Sequence, residues 1–478
     1  MKNYDVIVIG AGAAGLGNSG VANRLGLKTL LIEKNEHNFG GDCTNFGCVP
    51  SKALIHIASH FHYARHAAKF GMAVAGKADM QKVLDYIHSK QDYIKHTEDA
   101  EALRKQGIDV VIGEAAFTSK ETVTVGGETY KAKLIFLCTG SIPRTTKVEG
   151  MEGIPVYTNE TIFFDCKKLP EHLVVIGGGP IGCELGQSFA RLGSTVTIVN
   201  RGERILGKEP ENISHTLQTQ FESENIRICN MATVTKFEAK QAHIVDAKGV
   251  KTVIPCDAAI LAIGRIVRTK GMDFEKAGIQ LTDSGKIHVN EYLQSTNKKV
   301  YVIGDAAGTY QFSHGAEKMV KMVWRNILLP FFKKKNSLKD LSWVTFTDPQ
   351  VAHFGLSEPQ LWDAKIKYYR QDQNMEHDDR AIIQEYQYGH MSLWFDNNST
   401  IGNKKLLAGS MIAPQAGELI QEMELAKHAK IPLKIMNDRV YPYPVATRIN
   451  QKTTRGLMEK TLTGWKLRLA KRSFLFFN

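Results

Sequence analysis

The sequence predicts an α/β fold in which a β-strand, α-helix, β-strand unit occurs twice and a C-terminal α+β region follows. A run of β-branched residues, a glycine-rich turn and a helical stretch begin near residue 4 and again near residue 173. With 43% hydrophobic and 23% charged residues, the composition is that of a globular protein, which excludes fibrous and largely disordered chains. The length of 478 residues leaves room for about three domains.

The first unit opens the chain. It consists of a strand, a glycine turn, a helix and a second strand, at Tyr4–Ile9, Gly10-Ala-Gly12-Ala-Ala-Gly15, up to Leu25, and at Thr29–Ile32. In such a turn the first Gly makes the bend, the second lets backbone approach a pyrophosphate, and the third lets helix and strand pack closely. The N-terminus of the helix faces the negative charge. Glu33 ends the second strand, where its carboxylate is placed to accept both hydroxyls of an adenosine ribose.

The second unit repeats this order. Its parts are Leu173–Ile176, Gly177-Gly-Gly179-Pro-Ile-Gly182, a helix up to Leu192, and Thr195–Val199. Asn200 stands at the position that corresponds to Glu33, and Arg201 and Arg204 follow it. Because a 2′-phosphate is repelled by a carboxylate and attracted by guanidinium groups, this site is expected to prefer NADPH over NADH. The alternative is that both arginines are solvated surface charges. Two Rossmann-like units of this kind favour an enzyme that binds two dinucleotides.

The remaining segments predict further elements in chain order. Helices are expected at Val49–Phe70, Met80–Gln106 and Ala416–Ala429. Strands are expected between Asp109 and Leu137 around a Gly126-Gly127 hairpin turn, between Thr233 and Ile263 around Lys248-Gly249, and at Val300–Ile303, Met391–Phe395 and Lys405–Ile412. The charged run Asp378-Asp379-Arg380 fits no motif and is expected to be solvated surface charge.

Two cysteines follow the first unit, in Gly40-Gly-Asp-Cys43-Thr-Asn-Phe-Gly-Cys48-Val-Pro-Ser-Lys52. Cysteines at the start of a helix can form a redox disulfide whose thiolates gain from the helix dipole. A zinc site would need further clustered ligands, whereas the other cysteines are scattered and expected to be buried and inert: Cys138, Cys166, Cys183, Cys229 and Cys256. Seven cysteines are too few for a disulfide-stapled secreted protein, which indicates a catalytic disulfide in the cytoplasm.

Charge and histidine patterns add weaker expectations. The net charge of +12 favours anionic partners, but no groove-binding motif for nucleic acid accompanies it. The pairs His56/His60 and His62/His66 have the helical spacing of metal ligands, yet no third ligand is evident and no metal is expected. The basic aromatic segment 465–478 is expected to be a mobile or dimer-packed terminus, the alternative being peripheral contact with an anionic membrane surface.

From residue 4 to about residue 452 the chain resembles the class I pyridine nucleotide-disulfide oxidoreductases, the family of dihydrolipoamide dehydrogenase, glutathione reductase and mercuric reductase. The family order is an FAD-binding turn, the GG-x-C-x-N-x-GC-x-P-S-K disulfide, a turn for NAD(P)H, a Gly-Asp flavin contact and a dimerisation domain. This chain has all five, with Gly304-Asp305 as the fourth. Gln311–His314 and Thr347–His353 most resemble the mercuric-reductase-like branch.

The resemblance implies a homodimer and a domain plan. Residues 1–145 are expected to form the first part of the FAD-binding domain, 146–265 the NAD(P)H-binding domain and 266–340 the second, central part of the FAD domain. Residues 341–455 are expected to form the dimerisation domain and 456–478 a basic aromatic tail. Two Rossmann-like domains and a C-terminal α+β dimerisation domain result.

Residue roles also follow from the resemblance. Cys48 would lie against the flavin as the charge-transfer thiolate, and Cys43 would be the interchange thiol that attacks the substrate. Lys52 and Glu184 match the family's ion pair beside the flavin. The glycines of two loops that close over the nucleotides, and the group that bonds the ribityl chain, correspond to Gly140, Gly264 and Asp305. Electrons would pass from NADPH through FAD to the disulfide and outward.

The chain departs from the family near its C-terminus. The dithiol-reducing members carry a His, oriented by a Glu five residues later, as general acid and base. Tyr443 and Arg448 stand at those positions here. Tyr titrates near 10 rather than about 6.5, so it accepts protons poorly at neutral pH. Mercuric reductase resembles this chain in carrying a Tyr here but also uses a C-terminal cysteine pair, and no cysteine follows Cys256.

These observations together predict an FAD- and NADPH-dependent disulfide oxidoreductase whose acceptor is a thiol-reactive species, a soft metal ion or a quinone-like oxidant. Two alternatives stay open. One is a lipoamide-type or glutathione-type disulfide as acceptor. The other is a redox-silent, FAD-bound scaffold or peripheral membrane interaction protein, against which the retained Cys43, Cys48 and Lys52 argue.

Overall fold

The computed structural model describes residues 1–309, 311–337, 339, 341–397, 401–459 and 464–477. Residues 460–463 and 478 of the predicted tail lie outside the described residues. The chain forms two compact units, the first made of residues 1–201 and 229–336 and the second of 202–228 and 337–478. No helix within the described ranges is long and apolar enough to cross a membrane.

The α-helices of the described residues are α1 (Ala13–Arg24), α2 (Gly41–Asn45), α3 (Cys48–His66), α4 (Met80–Lys95), α5 (Ala100–Lys105), α6 (Ile162–Asp165), α7 (Pro180–Leu192), α8 (Glu211–Ser223), α9 (Ser313–Leu328), α10 (Glu358–Asp363), α11 (Asp379–Ile383), α12 (Ala416–Leu419), α13 (Gln421–His428), α14 (Leu433–Asp438), α15 (Arg448–Glu459) and α16 (Trp465–Phe477).

The strands are β1 (Lys2–Ile9), β2 (Thr29–Glu33), β3 (Asp109–Ile112), β4 (Ala116–Phe117), β5 (Thr122–Val125), β6 (Glu128–Leu137), β7 (Ser141–Pro143), β8 (Val156–Tyr157), β9 (His172–Ile176), β10 (Thr195–Val199), β11 (Arg227–Cys229), β12 (Ala232–Glu238), β13 (Gln241–Asp246), β14 (Lys251–Pro255), β15 (Ala258–Leu261), β16 (Arg265–Val267), β17 (Val300–Val302), β18 (Ser342–Thr345), β19 (Gln350–Gly355), β20 (Tyr368–Asn374), β21 (His390–Asp396) and β22 (Leu406–Ala413).

The first unit is built on two sheets with parallel central strands, one for each repeated sequence unit, and the antiparallel β5 and β4 extend the first of them. In the first sheet β1 lies between β2 and β6, parallel to both, and β17 adds to β6. In the second sheet β9 lies between β10 and β15, again parallel to both. Strands buried on both faces need continuous apolar runs, which the β-branched segments supply. Both glycine turns leave the carboxyl ends of central strands, where ligands bind in open α/β sheets.

The second unit has an antiparallel sheet in the order β18-β19-β22-β21-β20. Its alternating apolar side chains form a core with residues of α12, α13, α14 and α15; the largest contributors from the sheet are Phe354, Leu393, Phe395 and Met411. Antiparallel strands with one such face and helices on it give the α+β arrangement that the sequence predicts for the C-terminal region.

The hairpin at Gly126-Gly127 is confirmed. Both residues have positive φ, +56° and +84°, and they join β5 to the antiparallel β6. Two positive φ angles in succession match the turn geometry that suits the twist of a tight hairpin, and glycine adopts them without steric cost.

Two helix predictions were wrong in the same way, because each proved to be two helices. The expected helix Met80–Gln106 stops at Lys95, and α5 starts again after Asp99. The Asp99 carboxylate accepts a hydrogen bond from the Ala102 N–H at 2.8 Å, which caps a new helix rather than continuing the old one. The expected helix Ala416–Ala429 likewise divides, into α12 and α13.

The prediction that Asp378 is solvated surface charge was also wrong. This carboxylate is buried and accepts hydrogen bonds from the backbone N–H groups of Arg380 and Ala381, each at 3.1 Å. Lys452 Nζ pairs with it at 2.7 Å. Asp378 is therefore the N-cap of α11 and joins that helix to α15.

The boundary between residues 336 and 337 lies close to the predicted domain boundary at 340. The predicted boundaries at 145 and 265 fall inside the first unit, on either side of its second parallel sheet. The proposed division of this unit into FAD and nicotinamide domains stays a prediction.

Candidate functional site

Close packing of backbone atoms requires glycine at positions of the first glycine turn. Gly10 has φ of +102°, and a Cβ there would lie 2.4 Å from the carbonyl oxygen of Cys138. A Cβ on Gly15 would lie 1.7 Å from the carbonyl oxygen of Gly10. At Gly12 the nearest atom to such a Cβ is the Gly41 Cα, at 3.5 Å. The turn thus brings the end of β1 against the segment that carries the cysteines.

The ribose position of the first unit holds a buried carboxylate. Glu33 Oε2 accepts a hydrogen bond from the Ala11 N–H at 2.7 Å, and burial raises the pKa of this carboxyl group. No side chain caps α1 at Gly12, and the first turn of the helix carries no acidic residue. Thr139 Oγ1 is buried and has no hydrogen-bond partner among the described residues. Open backbone donors, a carboxylate and an orphaned hydroxyl fit the pyrophosphate and ribose of FAD.

The two cysteines lie at the α2 to α3 junction, and their pKa values are shifted in opposite directions. Cys48 Sγ lies 3.8 Å from Ser313 Oγ, the first residue of α9. A hydrogen bond with Cys43, the charge of Lys52 and the contact with Ser313 lower the pKa of Cys48 to about 6, against the opposing effect of burial. The same hydrogen bond raises the pKa of Cys43. The lowered pKa favours the thiolate form of Cys48, and the raised pKa favours the thiol form of Cys43.

Lys52 links the cysteine helix to the second glycine turn. It lies one turn after Cys48 on α3, and its Nζ is 2.8 Å from Glu184 Oε2 on α7. Glu184 is buried and Lys52 is half-buried. Because the Lys52–Glu184 pair is partly removed from water, solvent screens its charges less. The ammonium group of Lys52 therefore stabilises a negative charge beside Cys48.

A polar network surrounds Asp305, and sequence reasoning missed most of it. Asp305 Oδ2 accepts a hydrogen bond from Ser141 Oγ at 2.5 Å, and Arg265 Nε donates to the same hydroxyl at 2.7 Å. Arg265 Nη2 also donates to Asp42 Oδ1 at 2.8 Å. Burial raises the pKa of Asp305. The network connects the residue before Cys43 to the Gly304-Asp305 segment.

A signal for the missed residues does exist in the chain. Ser141 directly follows Gly140, and Arg265 directly follows Gly264. These two glycines have φ of +67° and +104°, and β7 and β16, which they precede, pair antiparallel with each other. Residues next to a predicted nucleotide-loop glycine are candidates for the same site. Gly304 also has positive φ, +74°.

The second glycine turn repeats the steric pattern of the first. Gly177 has φ of +120°, and a Cβ there would lie 2.3 Å from the Ala262 carbonyl oxygen. A Cβ on Gly182 would lie 2.0 Å from the Gly177 carbonyl oxygen. Around Gly179 no described atom comes within 4 Å of the Cβ position. The open side of Gly179 is the place where a pyrophosphate can approach backbone.

The residues predicted to read the second ribose have different surroundings. Asn200 Nδ2 donates to Asn230 Oδ1 at 3.0 Å, and the Arg201 side chain is exposed. Arg204 belongs to the second unit, where its Nη2 donates to the carbonyl oxygens of Gly207 and Glu209, both at 3.3 Å. Arg204 thus shapes its own loop, whereas Arg201 presents its charge to solvent.

The C-terminal pair that replaces the family's His and Glu lies in the second unit. Tyr443 is 68% exposed, and the Arg448 guanidinium lies 5.1 Å from the centroid of its ring. The two side chains therefore meet, as a cation–π contact rather than as an acid–base pair.

The histidine pairs and the other cysteines form no metal site among the residues that the structure describes. His56 and His60 bring their Nε2 atoms within 3.1 Å of each other, and the rings of His62 and His66 stack. Among the residues that the structure describes, no group of three or more His, Cys, Asp or Glu side chains is placed to hold a metal ion. Four of the other cysteines are buried as predicted, Cys138, Cys166, Cys183 and Cys256. Cys229 is only half-buried.

Comparison with known sequences places these features in a wider group. Residues 4–319 match the pyridine nucleotide-disulphide oxidoreductase family, and residues 341–452 match the dimerisation domain of the same family. A mercuric reductase from Staphylococcus aureus is 29% identical over 92% of this chain and 80% of its own length. A dihydrolipoyl dehydrogenase from Thermus scotoductus is 30% identical over 96% of this chain and 97% of its own length.

A solved structure shares the fold. The HOCl-induced flavoprotein disulfide reductase RclA from Escherichia coli superposes with a TM-score of 0.82, covering 95% of this chain and 99% of its own. The two sequences are 24% identical, so the likeness concerns the fold.

Proposed function

Because the chain belongs to the pyridine nucleotide-disulphide oxidoreductase family, we propose that it passes two electrons from NADPH to the Cys43–Cys48 pair and on to a soft, thiol-reactive acceptor. The family consists of flavoprotein disulfide oxidoreductases, and the dimerisation domain implies a homodimer. The observation that carries the proposal is the placement of the pair at the junction of α2 and α3, with Cys48 Sγ 3.8 Å from Ser313 Oγ and Lys52 one turn further along α3.

FAD, when bound, supplies two-electron transfer between a nicotinamide and a disulfide. The residues proposed to hold it are Gly10, Gly12, Gly15, Glu33, Lys52, Gly140, Gly304 and Asp305. Lys52 supplies positive charge beside Cys48, and its pairing with Glu184 keeps the side chain in place. The network of Arg265, Ser141 and Asp305 orients the Asp305 carboxylate.

NADPH is the proposed electron donor, with NADH as the alternative. Gly177, Gly179 and Gly182 supply the pyrophosphate turn, and Gly264 the loop beside it. An amide at Asn200 does not repel a 2′-phosphate, and the exposed Arg201 supplies the attracting charge. Arg204 is predicted from sequence to share that role, but its hydrogen bonds to its own loop make Arg201 the better candidate.

The acceptor step follows from the thiol pair. Two electrons and one proton cleave the disulfide into the Cys48 thiolate and the Cys43 thiol. When the acceptor takes two electrons, Cys43 gives up its proton and the S–S bond forms again. Thiolates are ligands that soft metal ions prefer, and such an acceptor needs no histidine to shuttle protons, which suits Tyr443. The S. aureus relative, a mercuric reductase, favours a soft metal ion over a quinone-like oxidant.

The test is an anaerobic titration of the purified protein with NADPH, in which the flavin spectrum is followed and free thiols are counted. We expect a long-wavelength thiolate-to-flavin band together with two new thiols. Cys43→Ser abolishes the new thiols, and Cys229→Ser, at a half-buried cysteine outside the pair, leaves them unchanged. Loss of flavin colour without new thiols overturns the proposal and favours the scaffold or a direct flavin reductase.

A second measurement identifies the acceptor class. NADPH oxidation is followed with Hg²⁺, a benzoquinone, lipoamide and glutathione disulfide in parallel. The proposal requires turnover with Hg²⁺ that depends on both Cys43 and Cys48. Full turnover with lipoamide or glutathione disulfide contradicts it, because those reactions need the proton shuttle that Tyr443 replaces.

We also infer peripheral contact of the tail with an anionic membrane. Every described residue of α16 is exposed, and the helix carries Lys466, Arg468, Lys471 and Arg472 without a carboxylate. Exposed aromatic residues at its end, such as Phe476, supply apolar area for the interface. Substituting Phe474, Phe476 and Phe477 by Ser is expected to reduce binding to phosphatidylglycerol vesicles; unchanged binding contradicts the inference. The sparse cysteines favour a cytoplasmic location for this contact.

A further inference from the structure

A second apolar surface lies at the end of α9, in the first unit. It is the Pro-Phe-Phe turn, which we define as residues 329–332. Phe331 is 93% exposed and Phe332 is 71% exposed, and Leu328 and Leu329 beside them are also exposed. Single exposed apolar residues are common, but contiguous ones on one turn mark a surface that contacts another molecule.

The Pro-Phe-Phe turn is held in one conformation by hydrogen bonds at its base. The Phe332 N–H donates to the Leu329 carbonyl oxygen at 3.0 Å, which closes a β-turn around Pro330. Asn326 is buried and binds the backbone of Lys334 twice, through Nδ2 to the carbonyl at 2.8 Å and through Oδ1 to the N–H at 2.7 Å. The phenylalanines are therefore presented by a clamped turn, and docking them costs little conformational entropy.

Positive charge directly follows the aromatic pair. Lys333, Lys334 and Lys335 come next in the sequence, and residues 325–337 contain no Asp or Glu. Glu291 pairs with Lys335 at 2.8 Å. Apolar side chains with adjacent cations match the two parts of an anionic lipid interface, because the rings enter the acyl boundary and the cations meet the headgroups.

A second copy of this chain fits the turn less well. A symmetric contact would bring two lysine triplets together, and like charges at an interface cost free energy. The turn also lies between the two matched family ranges, 4–319 and 341–452, and so outside the dimerisation domain. We propose that the Pro-Phe-Phe turn inserts into the interface of an anionic membrane, with Lys333 and Lys334 on the headgroups.

This proposal does not depend on the tail, and the experiment separates the two. The full-length holoenzyme is sedimented with vesicles of phosphatidylglycerol mixed with phosphatidylcholine, and with vesicles of phosphatidylcholine alone. We expect binding to the anionic vesicles to fall about tenfold in Phe331→Ser/Phe332→Ser, because most of the apolar area of the turn is lost. Lys333→Glu/Lys334→Glu should weaken binding to the anionic vesicles in particular. Tyr93→Ser removes an aromatic that is 84% exposed elsewhere on the first unit and serves as the control.

Each outcome decides the matter. If Phe331→Ser/Phe332→Ser binds as the unaltered protein does while the tail variant does not, the turn proposal is overturned and the tail inference stands. If the unaltered protein does not bind anionic vesicles, both the turn proposal and the tail inference are overturned. If the turn variant changes the oligomeric state in analytical ultracentrifugation, a second copy of the chain occupies the turn and the membrane proposal is overturned. Retained NADPH-dependent thiol reduction shows that the variants are folded.

Discussion

The guanidinium of Arg448 lies 5.1 Å from the centroid of the Tyr443 ring. At these two positions the family resemblance implies a His and a Glu, and neither side chain present here is a general base like histidine. The two side chains meet as a cation and an aromatic ring.

Restoring that chemistry should restore dithiol turnover. We expect Tyr443→His/Arg448→Glu to raise the rate with lipoamide or glutathione disulfide by about 100-fold, since a placed general acid–base contributes at least that much. Steady-state assays with each disulfide measure it. Tyr443→Phe is the matched control and should leave the rate with Hg²⁺ unchanged. A double variant as slow as the unaltered protein would show that another group limits the reaction.

The reduced enzyme should lose its Cys48 thiolate in mild acid. The pKa of Cys48 is lowered to about 6, so the thiolate predominates above that pH and is protonated as pH falls through it. The long-wavelength band of the NADPH-reduced protein, followed from pH 8 to pH 5, should therefore disappear with a midpoint near 6. Ser313→Ala removes one of the contacts that lower the pKa and should move the midpoint upward. Ser89→Ala, on the exposed part of α4, should not move it.

Removing the cation beside Cys48 should affect both stability and thiol chemistry. Lys52→Met leaves the buried Glu184 without this partner. Because Lys52 is half-buried, we expect a loss of about 1 to 2 kcal/mol in the free energy of unfolding, less than for a fully buried pair. Urea unfolding measures this, and the band midpoint should also rise. Lys105→Met, in an exposed pair with Glu101, should leave stability nearly unchanged, because solvent screens such a pair.

Substitutions in the two glycine turns should impair the binding of two different cofactors. Gly15→Ala places a Cβ 1.7 Å from the Gly10 carbonyl oxygen, so the purified protein should lack bound FAD. Gly182→Ala places one 2.0 Å from the Gly177 carbonyl oxygen, so this variant should keep FAD but lose affinity for NADPH. Flavin absorbance and NADPH titration distinguish them. Gly20, on α1 with open space around its Cβ position, is the control for an alanine in that helix. Equal loss of FAD in both variants would contradict separate sites.

Cofactor preference should depend on Arg201. Arg201→Glu places a carboxylate near the predicted 2′-phosphate position, and we expect kcat/KM for NADPH to fall about 10- to 100-fold, as expected for loss of a charged contact. The value for NADH should fall much less. Lys248→Glu is the control, because it makes the same change of charge in the exposed turn between β13 and β14, far from Arg201 in the sequence. A parallel loss for both cofactors would assign Arg201 to general folding or binding instead.

The parts of the site that the sequence predicts are those set by local sterics. A side chain cannot fit at four glycines because backbone atoms lie where the Cβ would be: Gly10, Gly15, Gly177 and Gly182. The glycines of each turn are close together in the sequence, so a local pattern reveals them. The Arg265 network was missed because its partners come from separate elements, a helix, a strand and a loop, and no local pattern joins them.

Capping explains two of the mistakes in the fold. Asp99 has a side chain that can stop and restart a helix, and in the sequence it is one of several charged residues within a long helical pattern. Asp378 seemed solvated for the same reason, although the backbone of α11 needed its carboxylate. In both cases the choice between solvent and cap depended on backbone donors brought near by folding.

Helix α9 separates the thiol pair from the Pro-Phe-Phe turn. Ser313, at one end, contacts Cys48, and the Pro-Phe-Phe turn follows the other end. An α-helix rises about 1.5 Å per residue, so these 16 residues separate the two ends by roughly 24 Å. A small molecule held by the phenylalanines is out of reach of the thiols. The proposed membrane contact and the thiol pair are thereby kept about one helix length apart.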